Sequence, residues 1–198
     1  MAGGSSLSFR ALVIPEDPTY NGYILRPIIE RILRECGRPN AKVMVLTNPR
    51  ANGYEHAKGI LEGVFARYRH YNLMLFLPDA DGNDRAPEFA HLEGKAAHVG
   101  VKLICCAAVQ EVETWLLAGH LDKLGKGWGE IRTDVAVKEN LFAPFLEEYG
   151  DLRRAGGGRD LLIQQTLSNY PGLLERCPEL RRLQELVCLY IQTLGEQV

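Results

Sequence analysis

The sequence predicts an α/β fold, in which a small, mostly parallel sheet is sandwiched by helices and followed by an α-helical C-terminal extension. Two observations predict this class. Short apolar runs alternate with amphipathic helical stripes over the first part of the chain, and the strand signal disappears beyond Gly119. Strands that alternate with helices of this length are typical of parallel sheets covered on both faces. We therefore expect an α/β domain over 9–119 and a helical extension over 120–198, packed on the same structural unit.

The strands are predicted from mainly apolar runs of four to eight residues, which are typical of buried parallel strands. Proline or asparagine-proline follows the first three of these runs and favours a turn there. The four predicted strands are 9–14, 43–46, 73–77 and 101–108.

The helices between these strands are predicted from apolar residues that recur at helical spacing, which places them on one face. The predicted helices occupy 24–33, 57–65 and 87–98, and a further helix opens at Trp115. Trp115 is expected to anchor the core.

The C-terminal extension carries helical patterns only. Segments 135–149 and 161–167 are predicted helices, with a flexible break at Gly156-Gly157-Gly158 and a stop at 168–171. A strong apolar stripe follows within 180–194. This stripe must be buried, either against the sheet domain or against another chain.

Composition excludes several classes of protein. The 198 residues are 46% hydrophobic, which excludes a disordered chain, and no apolar run approaches the ~20 residues of a membrane-spanning helix. The formal charge of −2 excludes a protein that holds nucleic acid by bulk positive charge, although a local basic patch remains compatible. Five cysteines without Cys-x-x-Cys spacing argue against a disulfide framework or a zinc site. We therefore expect a cytoplasmic protein in a reducing environment, with no membrane association.

Acidic residues follow three of the predicted strands. Glu16 follows the first, Asp79 and Asp81 follow the third, and Glu111 and Glu113 follow the fourth. Ligands of parallel α/β sheets bind at the carboxyl ends of the strands. We expect these five side chains to meet at one rim of the sheet.

Such carboxylates would repel one another unless a cation lay between them. Oxygen-only ligand sets favour Mg²⁺ or Mn²⁺, and two ions ~4 Å apart are typical of two-metal phosphodiester hydrolysis. An extended Asp-x-Asp turn would send Asp79 and Asp81 to the same side. Each acid taken alone also fits an ordinary turn or first helical turn. A lysine lying between the acids would argue against a metal.

Two of these segments resemble the signature of the TOPRIM (topoisomerase–primase) superfamily, which has a Glu after the first strand and Asp-x-Asp after the third. Val-Ile-Pro-Glu at 13–16 and Leu-Pro-Asp-Ala-Asp at 77–81 match it in order and setting. A closer likeness is to small stand-alone prokaryotic TOPRIM-like proteins of unknown function. It lies in 15–19 together with 24–28, in 79–82, and in the Glu-Val-Glu-Thr-Trp-Leu-Leu-Ala segment at 111–118.

The chain is also similar to the catalytic half of OLD-type nucleases. That resemblance implies that Glu16 is a metal ligand or general base, that Asp79 and Asp81 are metal ligands, and that Glu113 is an additional catalytic carboxylate. Glu111 is a further candidate ligand because it lies on the same rim. The resemblance also implies a partner ATPase encoded nearby, as in phage-defence systems.

A nuclease must also bind phosphates, and three basic residues are the candidates for that role. Arg85 directly follows the acidic turn, Arg159 follows the glycine triplet, and Lys138 lies in the helical extension. The predicted function is a metal-dependent DNA or RNA endonuclease. The alternatives are a partner-binding module with a vestigial acidic site and another phosphoryl-transfer enzyme, such as a primase-like nucleotidyltransferase. A homodimer is left open.

Overall fold

A computed structural model describes residues 8–196 and contains a four-stranded, fully parallel sheet in the order β2-β1-β3-β4. The strands are β1 (Arg10–Ile14), β2 (Lys42–Val45), β3 (Leu73–Phe76) and β4 (Leu103–Cys105). The helices before the extension are α1 (Gly22–Glu35), α2 (Tyr54–Gly59), α3 (Leu61–Tyr68), α4 (Ala86–His98) and α5 (Glu113–Leu117). The later helices are α6 (Leu121–Leu124), α7 (Trp128–Thr133), α8 (Ala143–Tyr149), α9 (Arg159–Ser168), α10 (Tyr170–Arg176) and α11 (Pro178–Gly195). The predicted α/β class is confirmed.

The sheet is covered on both faces, and the strands divide their side chains between two apolar cores. Ala11 and Val13 of β1 pack with α1 and the C-terminal helices, whereas Leu12 and Ile14 pack with α2, α3 and α4. This division follows from the two-residue period of a strand. It explains why β1 and β3 are nearly continuous apolar runs, since both of their faces are buried.

The apolar stripe of α11 packs against the chain's own core. Leu180, Leu183, Val187 and Ile191 are buried in the same cluster as α1 and Trp115. Of the two possible partners for this stripe, the structure therefore shows the chain itself. The expected role of Trp115 as a core anchor is confirmed, because its side chain is fully buried.

The expectation that the cysteines form no disulfide is wrong for one pair. Cys36 and Cys188 form a disulfide that joins the end of α1 to α11, with 4.8 Å between their Cα atoms. The remaining three cysteines are free thiols. Spacing along the chain could not reveal this pair, because 152 residues separate the two positions and only the packing of α11 on α1 brings them together.

Several boundaries of the extension differ from prediction. The segment predicted as a stop does end α9 at Ser168, but it also begins α10, where the Asn169 side chain caps the helix by accepting a hydrogen bond from the Gly172 N–H. Pro171 fits there because a proline in the first turn loses no helical hydrogen bond. The 135–149 segment contains a π-helical turn over Lys138–Phe142 that runs into α8. The helices α6 and α7 had no strong sequence signal.

Within residues 8–196, we find no helix with the length and apolar character needed to cross a lipid bilayer.

Candidate metal centre

The carboxyl ends of β1, β3 and β4 bring the acidic segments together. Parallel pairing continues beyond the strands, because Asp79 forms an isolated bridge with Ala108 and the Ala80 N–H donates to the Ala108 carbonyl at 2.9 Å. The Asp81 N–H then donates to the Gln110 carbonyl at 3.3 Å. These backbone bonds hold the segment after β3 beside the segment that leads into α5.

Three of the predicted acids form one cluster. Asp79, Glu111 and Glu113 each offer a carboxylate oxygen, and these oxygens lie within 4.8 Å of one another. Glu16 adjoins this cluster, because its Oε2 accepts a long hydrogen bond of 3.4 Å from the Asp79 N–H. We call Glu16, Asp79, Glu111 and Glu113 the acidic cluster.

Asp79 is at the centre of the acidic cluster and is 2% exposed. Its Oδ1 accepts a 2.7 Å hydrogen bond from the Val112 N–H, just before α5. Burial raises the pKa of Asp79 well above its usual value, and the charges of Glu16, Glu113 and Glu111 raise it further. Burial also raises the pKa of Glu16, against hydrogen bonds to Asp79 that lower it. The site therefore disfavours four ionised carboxylates in the absence of a cation.

Glu113 is completely buried as the first residue of α5, and neither of its carboxylate oxygens has a hydrogen-bond partner within the described residues. Burial raises the pKa of Glu113, although the nearby charges of Lys138 and Arg159 act in the opposite direction. An unsatisfied buried carboxylate is costly and uncommon in folded proteins. Glu113 is therefore the strongest indication that the cluster binds a ligand.

Lys138 is the cation that contacts the acidic cluster. Its Nζ donates to Glu111 Oε2 at 3.2 Å and lies 3.6 Å from Glu113 Oε1, which is too far for a hydrogen bond. Burial alone would lower the pKa of Lys138, but the carboxylates of Glu113, Glu111 and Asp79 together raise it. The ammonium group remains charged and pairs with two members of the cluster, which is the arrangement that argues against a metal.

Asp81 lies apart from the three clustered acids. Its backbone is left-handed, with φ of 50°, rather than extended, so Asp79 and Asp81 do not point to one side as expected. The Asp81 side chain is 55% exposed and pairs with Arg85 at 3.7 Å. The Arg85 guanidinium lies 3.7 Å from the centre of the Tyr54 ring. Asp81 still lies close enough to Glu16 for its charge to raise the pKa of Glu16.

Arg159 is held beside the acidic cluster by a rigid turn. Gly156, Gly157 and Gly158 all have positive φ angles, and a Cβ at Gly158 would come within 2.5 Å of the Asp151 nitrogen. This geometry requires glycine. The segment predicted as a flexible break is thus a tight turn that leads directly into α9.

The Arg159 side chain is buried and stacks on two aromatic rings. Its guanidinium lies 4.6 Å from the centre of the Tyr20 ring and 5.0 Å from that of Phe142. Its Nη1 donates to the Gly156 carbonyl at 2.9 Å, while its Nε has no partner among the described residues. The predicted phosphate ligands Arg159 and Lys138 therefore both lie near Glu113, and Arg85 lies at the outer turn.

Sequence reasoning did not identify the two aromatic side chains that contact Arg159. Tyr20 lies in the β1–α1 loop, four residues after Glu16, and Phe142 ends the π-helical turn. Tyr20 could have been found, because loops after parallel strands carry the residues that line a site. Phe142 carried no such signal, since only the folding of the extension brings it to the sheet edge.

The donor set fits a hard divalent cation, because it consists of carboxylate oxygens only. The backbone around Asp79 is fixed by strand-like pairing, and Glu113 offers two oxygens without other partners. A divalent ion would have to replace the Lys138 ammonium on two of the carboxylates. The residues present therefore fit a metal, on condition that Lys138 moves.

Comparisons with protein-family models, with curated proteins and with solved structures give no match to this chain.

Proposed function

We propose that this protein is a metal-dependent phosphodiester-cleaving enzyme of the TOPRIM type, acting as an endonuclease on DNA or RNA with Mg²⁺ or Mn²⁺. The observation that carries the proposal is the fully buried Glu113 carboxylate, which has no hydrogen-bond partner within the described residues and lies in a cluster with Asp79 and Glu111. A fold retains such an arrangement at a cost in stability, and strongly perturbed acids of this kind gather at functional sites.

Each residue of the site would have a distinct task. Asp79, Glu111 and Glu113 would hold the ion, which would supply Lewis-acid stabilisation of the phosphate and activation of water. Glu16, the member of the acidic cluster that follows β1, is the candidate to accept the proton of the attacking water. The P–O bond to the leaving oxygen would then break as the new P–O bond forms.

The relationship to TOPRIM enzymes is part of this proposal. In its support, a Glu follows β1 and an acidic pair follows β3 on a parallel sheet, in the order of the TOPRIM signature. Asp81 departs from the expected shared site, because its side chain pairs with Arg85 instead. A ligand role for Asp81 would require the 79–82 turn to change conformation when the metal binds.

Phosphate binding would rely on the arginines and lysine around the cluster. Arg159 supplies a buried positive charge near Glu113, and Lys138 would become free to contact phosphate when it leaves the carboxylates. A groove of about 410 Å³ lies beside the 80–86 turn, with Arg85 and Arg182 among its lining residues. Asp84 and Glu179 also line this groove, so a nucleotide bound there next to the scissile phosphate would place its phosphate against the two arginines.

The wider biological expectations also belong to this proposal. We infer a cytoplasmic protein that acts with a partner ATPase in phage defence, since that is the setting of the enzymes it resembles. The Cys36–Cys188 disulfide is more typical of oxidising compartments, so the cytoplasmic assignment depends on the resemblance and no longer on the cysteines.

A second candidate is a partner-binding module whose acidic site is vestigial. The ion pairs of Lys138 with Glu111 and Glu113 favour it, because an internal cation can serve in place of a metal. The apolar stripe of α11 does not support a partner-binding role, because it is buried within the chain and is not available to a partner.

The test is cleavage of single- and double-stranded DNA and RNA by the full chain, with Mn²⁺ or Mg²⁺ and with a chelator. We expect metal-dependent cleavage by the wild type and a loss on the order of 100-fold or more for Asp79→Ala, as expected for removal of a metal ligand. Glu139→Ala is the matched control, because Glu139 is exposed and adjacent to Lys138. Equal cleavage by wild type and Asp79→Ala would refute the proposal, as would an absence of cleavage by both.

A further inference from the structure

Lys138 occupies the position that a bound cation would take. Its ammonium contacts Glu111 at 3.2 Å and approaches Glu113 at 3.6 Å, and the oxygens of these acids lie within 4.8 Å of Asp79. An ammonium group in this place neutralises part of the cluster's charge. The question is whether this pairing is permanent or is exchanged for an external ion.

Two features of Lys138 favour the replacement of its ammonium group by an external ion. Its side chain is 42% exposed, so the ammonium has a route to water, whereas Glu113 has none. Lys138 also gives Glu113 no hydrogen bond, because its ammonium lies beyond hydrogen-bond distance. Both carboxylate oxygens of Glu113 therefore lack a hydrogen-bond donor within the described residues. A permanent structural ion pair of a fully buried acid is expected to be hydrogen-bonded.

The charge of the lysine also bears on which ions can displace it. Replacing the ammonium with Na⁺ or K⁺ would exchange one positive charge for another, with no electrostatic gain for the carboxylates. Replacing it with a divalent ion would double the charge facing the buried carboxylates, where the low dielectric strengthens the interaction.

We propose that Lys138 is an internal competitor that must leave the carboxylates before a metal binds, and that it thereby makes the acidic cluster selective for divalent over monovalent cations. The proposal rests on the function proposed above, but it concerns metal binding and not cleavage. It assigns Lys138 a role in ion selection in addition to any contact with phosphate.

The first test is Mn²⁺ binding to the full chain at pH 8, measured by the electron paramagnetic resonance signal of free Mn²⁺. Titrations in tetramethylammonium chloride are compared with titrations in NaCl at the same ionic strength. Lys138→Met is expected to bind Mn²⁺ about tenfold or more tightly than the wild type in tetramethylammonium, because a competing state no longer reduces the apparent affinity. Na⁺ should weaken binding to Lys138→Met and leave the wild type unchanged.

Two further variants serve as controls. Lys138→Arg retains the positive charge and should bind Mn²⁺ as the wild type does, while Lys126→Met removes an exposed lysine elsewhere and should change nothing. Unchanged or weaker Mn²⁺ binding by Lys138→Met would overturn the proposal, as would Na⁺ competition of equal size in both proteins.

A second measurement needs no substitution and so does not depend on the folding of a variant. Acetic anhydride labels free lysine amines, and mass spectrometry reports the labelling rate at each position. Saturating Mn²⁺ should increase labelling of Lys138 several-fold and leave Lys126 unchanged. An unchanged rate at Lys138 with Mn²⁺ bound would refute its displacement.

The outcomes separate this inference from the proposed function. Tighter Mn²⁺ binding by Lys138→Met without any nucleic-acid cleavage would support ion competition and refute the nuclease. Nucleic-acid cleavage by the wild type, together with an unchanged Mn²⁺ affinity of Lys138→Met, would support the nuclease and refute ion competition by Lys138. Failure of every variant to bind Mn²⁺ would overturn both.

Discussion

Two glutamates near α5, Glu113 at its first residue and Glu179 against its Trp115, have very different hydrogen-bond surroundings. Glu179 on α11 accepts hydrogen bonds from Trp115 Nε1 at 2.9 Å and from both terminal nitrogens of Arg132, at 3.2 and 3.0 Å. Glu113, two residues before Trp115, is more deeply buried and has no hydrogen-bond partner among the described residues. A buried carboxylate with a structural role normally accepts hydrogen bonds from the chain, as Glu179 does. A buried carboxylate without such donors, as at Glu113, indicates that it binds a ligand from outside the chain.

The largest effect is expected from removing the charge of Glu113. Glu113→Gln should weaken Mn²⁺ binding by on the order of 100-fold, because a buried anionic ligand is lost. It should also raise the free energy of unfolding without metal, since a neutral amide is less costly to bury than a carboxylate. Calorimetric Mn²⁺ titration and urea denaturation measure the two effects. Glu179→Gln is the matched control, and an equal loss of Mn²⁺ affinity in that variant would remove the distinction between the two glutamates.

A smaller effect, on stability alone, is expected at the other glutamate. Glu179→Ala should lower the free energy of unfolding by about 2 kcal/mol, because the Arg132 guanidinium and the Trp115 N–H lose their acceptor in a half-buried site. Urea denaturation checks the value, with Glu175→Ala as an exposed control from the preceding helix. A stability equal to that of the wild type would show that this network contributes little to the fold.

A third effect is a pH dependence of metal-free stability. The pKa of Asp79 is raised in the folded state above its ordinary value of 3.8, so its favourable contribution is present below that value and is lost as the pH rises through the folded-state pKa. Asp79→Asn lacks this titration, and its Oδ1 can still accept the hydrogen bond from Val112. The difference in unfolding free energy, variant minus wild type, should therefore grow from pH 4 to pH 8.

Each unit of pKa difference between the folded and unfolded states contributes about 1.4 kcal/mol, so denaturation at several pH values can resolve this effect. Saturating Mn²⁺ should reverse the order of the two proteins at pH 8, because it stabilises only the form that binds it. A pH-independent difference would contradict the electrostatic account of Asp79.

Much of the sheet was predictable from the sequence because its determinants are local. The apolar runs around 10–14 and 73–76 specify strands buried on both faces, and a proline soon follows each of them. The rule that ligands bind at the carboxyl ends of parallel strands then placed Glu16, Asp79 and the 111–113 segment at one rim. The position of Asp81 was not predictable, because a left-handed backbone at a non-glycine residue depends on the surrounding turn.

The extension was harder to predict because its contacts are distant in sequence. The pairing of Lys138 with Glu111 spans 27 residues and that of Cys36 with Cys188 spans 152. Neither contact produces a hydrophobic periodicity that could be recognised in the sequence. Short helices such as α6 and α7 also carry weak signals, since most helical stability comes from tertiary packing.

The sequence by itself determined the α/β class, the set of acids at the sheet edge and the buried face of the last helix, because periodicity and strand-end placement are properties of neighbouring residues. Only the tertiary structure decided which acids converge, that Asp81 turns outward and that Lys138 stands among the carboxylates. The outward position of Asp81 depends on the backbone of its own turn, whereas the position of Lys138 depends on the packing of the helical extension against the sheet. That packing sets the burial of each charge and its distance from the others, and electrostatic energies depend on both.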